Sequence, residues 1–357
     1  MLKHKIKKII ALALTATMML SVSSMPAVVN AAEIESSSAV SLYNGFGYTV
    51  RSDQTVGIWG YAGNETDIVI PDEIEGCPVV KINDRVFANK NIKSVVIPDS
   101  VTYIGSRVFE NCYELESVSI GKNVAKIYSD AFNGCYKLTQ FSIHEDIRDI
   151  DYQWFKNTAY YNNSNNWENG VLYIDNHLIK AKDSVSGKYE IKDGTKSIGV
   201  KAFEKCFKLT EVTMPEGFKR ISNNAFNYCY SLESVKMPSS LMYIGVEAFL
   251  KCIRLNNVTI PDNVTRIHDS VFFDCWNLES ITLSKRIMVI GNSAFKNCSN
   301  LSQINIPNAV TSIGSKAFSN CKKLKDINIP KNLNTLKGFA FAYCSSLTDF
   351  TIPDKFT

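Results

Sequence analysis

Cysteine spacing constrains this chain more than any other feature. Cys206, Cys229, Cys252, Cys275, Cys298, Cys321 and Cys344 follow one another at intervals of 23 residues, and Cys112 and Cys135 are separated by the same interval. A fixed period of this length is the signature of stacked structural units, each of which contacts only its neighbours. The frame around each cysteine repeats as well, as in Leu255-x-x-Val258-x-Ile260-Pro261-x-x-Val264-x-x-Ile267-x-x-x-Val271-Phe272-x-x-Cys275, and the next unit opens at Leu278. The phenylalanine of that frame recurs eleven times, as Phe87, Phe109, Phe132, Phe155, Phe203, Phe226, Phe249, Phe272, Phe295, Phe318 and Phe341.

Counting the leucine as position 1, positions 4 and 6 fall on one face of a short strand with a polar residue between them. Pro98, Pro215, Pro238, Pro261, Pro307, Pro330 and Pro353 follow that strand directly, where a missing N–H ends a ladder without breaking it. The second half of the frame, Ala-Phe-x-x-Cys-x-x-Leu, has apolar residues three apart, which suits a turn of 3₁₀- or α-helix pointing inward on the opposite side. One unit cannot bury its own apolar row, but stacked copies form a continuous core.

The stretch Ile313-Gly-Ser-Lys-Ala-Phe-Ser-Asn-Cys-Lys-Lys-Leu-Lys-Asp-Ile-Asn-Ile-Pro330 resembles the BspA-like class of bacterial leucine-rich repeats, and the resemblance runs over about residues 67 to 353. The expected fold is accordingly a leucine-rich-repeat solenoid: a right-handed coil of about 23-residue repeats, with short parallel β-strands on one face and short 3₁₀ or α turns on the other. The resemblance also implies a secreted or cell-surface protein that acts in adhesion to host proteins or other cells.

Departures from the frame mark its boundaries. Phe87 and Phe109 are 22 residues apart, because Ile92 comes one residue early, and Phe155 and Phe203 are 48 apart. The second departure places an insert over residues 159–184, with Thr158 where the cysteine is expected. Within it, Val171-Leu-Tyr-Ile174 and His177-Leu-Ile-Lys180 flank Asp175-Asn176, which predicts a hairpin. Such an insert either carries binding or serves as a structural spur. Residues 33–66 read as an N-terminal linker and β-rich cap, and residues 67–357 as the solenoid. Its far end either caps itself or is covered by a partner or a further segment.

Lys3, Lys5, Lys7 and Lys8, the apolar run that follows and the small residues before Glu33 predict a secretory signal peptide over residues 1–32. Thr15, Thr17, Ser21, Ser23 and Ser24 interrupt the apolar run, which argues against a membrane anchor. Without those four lysines the chain has 35 basic and 35 acidic residues. A net charge near zero argues against generic binding to nucleic acid or acidic membranes. The expected product is secreted, or held non-covalently at the cell surface.

Ten cysteines in an exported protein would ordinarily suggest disulfides. Nine of them share one inward position beside Phe and Leu, where cysteine behaves as a small buried hydrophobe. An identical ladder does not supply the paired geometry a disulfide needs, so free thiols are expected. Cys77 is off the ladder. No C-x-x-C occurs, so neither a zinc site nor any cofactor is expected. His144, His177 and His268 stand alone, and no phosphate-binding glycine loop, G-x-S-x-G or H-E-x-x-H is present. The sequence therefore predicts no catalytic residues and no enzyme.

Two surfaces compete for a partner. Position 5 shows a small polar row, Ser119, Ser142, Thr213, Lys236, Thr259, Thr282, Asn305, Asn328 and Thr351, which reads most simply as a solvated sheet face. Position 22, just after the cysteine, shows Tyr113, Tyr136, Phe207, Tyr230, Ile253 and Trp276, then Ser299, Lys322 and Ser345. Positions 18, 21 and 1 already point inward, so position 22 points out. This aromatic stripe is either a contact surface, since Tyr and Trp dominate interface energetics, or a set of rings packed sideways to shield the core. Tyr160, Tyr161 and Trp167 of the insert are expected to extend it. The expected function is extracellular protein or glycan binding through stripe and insert; the alternative is a structural, self-assembling surface protein.

Overall fold

Each 23-residue unit forms one coil with three sides. The computed structural model describes residues 41–144, 147 and 150–348, so the signal-peptide reading and the frame residues Thr351 and Pro353 lie outside it. Frame positions 3 to 5 form the first parallel sheet. It runs through Ser94–Ile97, Ser117–Ile120 and Gln140–Ser142, and later through Asn257–Thr259 and Ser280–Thr282. The pairing register is the sequence period, so that Val118 faces Phe141 and Val258 faces Ile281.

Positions 12 and 13 form a second parallel sheet that the frame did not reveal. Arg220–Ile221 and Tyr243–Ile244 pair within it, as do Arg266–Ile267 and Val289–Ile290. Each of these strands has two residues, too few for an alternating pattern to register in the sequence. They pair because the stacking that aligns the first sheet also brings like backbone groups of position 13 beside each other, where they need partners.

The third side is a ladder of turns. The i→i+3 bonds of the expected 3₁₀ turn are present, for instance from Asn227 N–H to the Asn224 carbonyl at 3.1 Å and from Cys229 N–H to the Phe226 carbonyl at 3.1 Å. They do not continue into a helix, because positions 16 and 20 are left-handed, with φ of 57° at Asn224 and 61° at Tyr228. Alternate N–H groups turn instead to the next coil: Asn224, Phe226 and Tyr228 donate to the carbonyls of Val246, Ala248 and Leu250 at 2.8–2.9 Å.

Inside the coil the frame phenylalanines stack from Phe203 to Phe341 with ring centroids 5.2–5.5 Å apart and nearly parallel planes. Beside them the ladder cysteines carry free thiols. The Cys252 Sγ–H donates to the Phe226 carbonyl of the preceding coil at 3.2 Å, and Cys275, Cys298 and Cys321 repeat the contact. Burial pushes the Cys112 and Cys206 thiols up to about 12.

The insert is neither a spur nor a protrusion. Val171–Ile174 and His177–Ala181 form the predicted hairpin, with Ile174 opposite His177 across the Asp175-Asn176 turn. Both strands are almost wholly buried. Leu172, Ile174 and Ile179 pack into the core of the preceding coils, while Val171, Tyr173, Leu178 and Ala181 pack into that of the following coils. The hairpin is therefore a layer of the stack that separates two cores. Its apolar residues run on without polar alternation, as expected of strands buried on both faces. His177–Ala181 then pairs in parallel with Ser197–Ile198 and so restarts the second sheet.

The N-terminal end is built the same way. Phe46–Val50 and Val56–Tyr61 form an antiparallel hairpin, and Val56–Tyr61 runs parallel to Cys77–Ile82. Thr158 also gains a reason. Its hydroxyl donates to the Phe155 carbonyl at 2.7 Å and accepts from Tyr161 N–H at 3.2 Å, so it caps the short helix Ala159–Asn162 that opens the insert. A cysteine would cap this turn poorly.

Candidate functional site

The aromatic side chains of position 22 are thrown outward by the turn that precedes them. The left-handed residue at position 20 lets the N–H of position 22 bond back two residues, as from Tyr230 to the Tyr228 carbonyl and from Phe207 to that of Lys205, at 2.8 and 2.7 Å. The cysteine of position 21 is thereby left facing in and the residue of position 22 facing out. Tyr113 is 53% exposed, Tyr136 60%, Phe207 45%, Tyr230 37% and Trp276 49%.

These rings do not form one continuous stripe. Tyr113 stacks on Tyr136 with centroids 5.9 Å apart, and Phe207 stacks on Tyr230 at 5.3 Å. The hairpin layer separates the two pairs, and Ile253 interrupts the run before Trp276. The rings pack sideways against one another, and they remain open to solvent while doing so.

Tyr160, Tyr161 and Trp167 do not extend the row. All three are half-buried and pack against the core beneath the hairpin. The Tyr160 hydroxyl donates to the Tyr173 carbonyl at 2.7 Å, and Trp167 Nε1–H donates to the Tyr161 carbonyl at 2.8 Å. Burial pushes the Tyr160 hydroxyl up to about 12, as expected of a ring seated in the fold.

The histidines divide in the same way. His177 is fully buried, with Nδ1 2.8 Å from Ser197 Oγ and Nε2 3.1 Å from the His144 carbonyl, so it joins the hairpin to its neighbours. His268 lies against Tyr243, and burial, with Arg266 nearby, holds its imidazole below the usual range. Among the described residues no three His, Cys, Asp or Glu side chains cluster to hold a metal. No described helix is long and apolar enough to cross a membrane.

The position-5 row is a solvated face. Glu211 of the same sheet bridges Lys236 and Lys188 of neighbouring coils at 2.8 and 3.1 Å. Two aromatic residues escaped the sequence reading altogether. Phe339 and Tyr343 are 69% and 79% exposed, and they occupy the left-handed positions 16 and 20 with φ of 63° each. Position 16 elsewhere holds residues such as Arg85, Lys201, Asn224 and Ser293. An aromatic in that place was the available signal.

Parallel strands in 23-residue register, a stacked phenylalanine core and a turn ladder define a leucine-rich-repeat solenoid. The sequence matches the BspA type Leucine rich repeat region, in 6 copies, over residues 80–186, 174–302 and 267–357. The chain belongs to that family. Among solved structures it is similar to a leucine rich cell surface protein from Faecalibacterium prausnitzii, at 25% identity over 82% of this chain and 95% of that one, with a TM-score of 0.34. A leucine-rich repeat protein from Bacteroides ovatus is 23% identical over 86% and 92%, with a TM-score of 0.31. One from Eubacterium ventriosum is 19% identical over 79% and 93%, with a TM-score of 0.36. No curated protein matches the chain.

Proposed function

We propose that this chain is an exported, non-catalytic binding scaffold that engages an extracellular protein through Tyr113, Tyr136, Phe207, Tyr230 and Trp276. The carrying observation is the pairing of the exposed rings. In each pair the two rings turn one face toward each other, and 37–60% of each residue stays open to solvent. A sugar needs an open ring face to dock on, whereas a protein surface pairs well with ring edges and phenolic hydroxyls. The rings are also held by the coil stack, so little freedom is lost on binding. Residues 1–32 are proposed to act as the export signal, residues 33–66 as linker and cap, and residues 67–357 as the scaffold with its internal hairpin layer.

The test compares the purified protein with a Tyr136→Ala, Tyr230→Ala, Trp276→Ala variant on arrayed extracellular matrix proteins. A specific hit that the variant loses, with its melting curve unchanged, supports the reading. A hit that survives in the variant rejects the row as the site. Concentration-dependent sedimentation with no hit favours self-assembly instead.

A further inference from the structure

Charge is unevenly distributed along the coils. Residues 285–357 hold ten Lys or Arg and three acidic residues, whereas residues 33–284 hold 25 basic and 32 acidic residues. The neutral total averages two regions of opposite sign. In the earlier coils many lysines have carboxylate partners, such as Lys122 with Asp99, Lys192 with Glu168, and Lys188 and Lys236 with Glu211. Among the described residues of 285–348, no Lys or Arg forms an ion pair.

Part of this charge gathers on the turn side. A groove of about 530 Å³ is lined by Lys296, Lys316, Asn320, Phe339 and Tyr343. Through Asn297 and Asn320 it adjoins a hollow lined by Trp276, Ser299 and Lys322. Among the described residues no other ring stacks on Trp276, Phe339 or Tyr343, so these rings offer open faces, unlike the paired rings upstream. Two of them also sit in left-handed backbone, which is unfavourable for a bulky residue and gains no burial here.

We infer that the turn side of these last coils binds an anionic polysaccharide. Lys296, Lys316 and Lys322 take its acid groups, and the open rings take the polarised C–H faces of its sugars. The polar lining that runs from the groove into the hollow favours sugar over a nucleic-acid strand. There Asn320 Nδ2 donates to Asn297 Oδ1 at 2.9 Å, and Asn297 Nδ2 donates to Asp274 Oδ1 at 2.7 Å. This row of amides and a carboxylate offers both donors and acceptors to hydroxyl groups, which are dense along a sugar chain and sparse along a phosphodiester backbone.

The test measures binding of the full protein to dextran sulfate, neutral dextran, inorganic polyphosphate and a mixed-sequence single-stranded oligonucleotide. Dextran sulfate is expected to bind and neutral dextran not to bind. The Lys296→Gln, Lys316→Gln, Lys322→Gln variant is expected to lose about tenfold or more in affinity for dextran sulfate near physiological salt. A Lys93→Gln, Lys156→Gln control, on exposed lysines of earlier coils, is expected to bind as before. Phe339→Ser with Tyr343→Asn installs residue types that positions 16 and 20 carry elsewhere. It should keep the melting temperature, weaken dextran sulfate binding and leave any polyphosphate binding unchanged. No dextran sulfate binding overturns the inference. So does oligonucleotide or polyphosphate binding of equal strength with no effect of the ring substitutions, which would reveal a general positive field. Trp276 is common to this surface and the proposed protein-binding row, whereas the substituted lysines, Phe339 and Tyr343 are not, so a loss of dextran sulfate binding in these variants is distinguishable from a failure of that row.

Discussion

The ladder cysteines show how one residue type meets the demands of a stacked core. Each thiol is small enough to sit beside a phenylalanine, and all but Cys206 donate to the frame phenylalanine carbonyl of the preceding coil, a carbonyl that also accepts the N–H three residues on, as Phe226 accepts from Cys252 Sγ–H and Cys229 N–H. Serine would make a stronger donor but carries a costlier group to bury, so Cys252→Ser is expected to lower stability by roughly 1–3 kcal/mol in urea unfolding. Burial also links these thiols to pH. The unfolded thiol titrates near 9.0, and Cys112 and Cys206 in the fold only near 12. Their folded pKa is the higher one, so their contribution is complete below pH 9 and is lost as pH rises through that window. A Cys112→Ala, Cys206→Ala variant should therefore lose less melting temperature between about pH 8 and 11 than the parent; an equal loss would dismiss the thiols as the cause. At this scale the sequence was largely legible, since a fixed period implies an inward position. The left-handed positions 16 and 20 were not, because Arg107, Lys251 and Ser293 carry no conformational signal of the kind Gly134 does.

At the scale of the element, the hairpin over 171–181 was legible and its role was not. Asp175-Asn176 between two apolar runs announces a turn, but the turn does not say whether a hairpin lies outside the stack or within it. The answer lies in their lack of polar alternation, which only a layer with core on both sides can satisfy. Leu178 and Ile179 are adjacent in sequence and fully buried, yet they pack into different cores. Each changed to alanine is expected to cost about 2–5 kcal/mol, as in other tightly packed interiors. On a solvent-exposed spur the same changes would stay within about 0.5 kcal/mol, and thermal unfolding of the two variants separates these cases. The second sheet escaped the sequence for the opposite reason. Ile221, Ile244 and Ile267 are visible as a recurring spacing within the chain, but two-residue strands have no periodicity of their own, and only stacking makes them strands.

For the whole molecule, the two cores raise the question of whether the stack unfolds as one unit. A solenoid is held by contacts between neighbouring coils, so cooperativity spreads only as far as each interface is strong. At the hairpin layer the Phe ladder is broken, since Phe155 and Phe203 lie on opposite sides of it and meet Phe141 and Tyr189 edge-on instead of each other. The first sheet is also interrupted there, with Gln140–Ser142 ending one run and Ser186–Glu190 starting the next. What still joins the halves includes the Asp175 carboxylate, which accepts from Ile143 N–H at 2.9 Å, the His177 bond to the His144 carbonyl, and the packing of the hairpin itself. That is a thinner connection than the one after Ser234–Lys236 and Tyr243–Ile244, where both sheets also break but the Phe249–Phe272 stack and the core run on, and hydrogen exchange is expected to resolve two cooperative blocks that meet at residues 171–181. Leu255→Ala lies well inside the second core and should raise exchange across the coils after the hairpin while leaving Val95, Val118 and Phe109 protected as before. Uniform loosening of both blocks would instead mean that the hairpin couples the two cores as tightly as any pair of coils. The surface follows the same division only in part, because the paired rings lie on both sides of the hairpin while the positive charge is confined to the last coils. Averaging over the chain hid that charge from a sequence reading, whereas counting by coil exposes it.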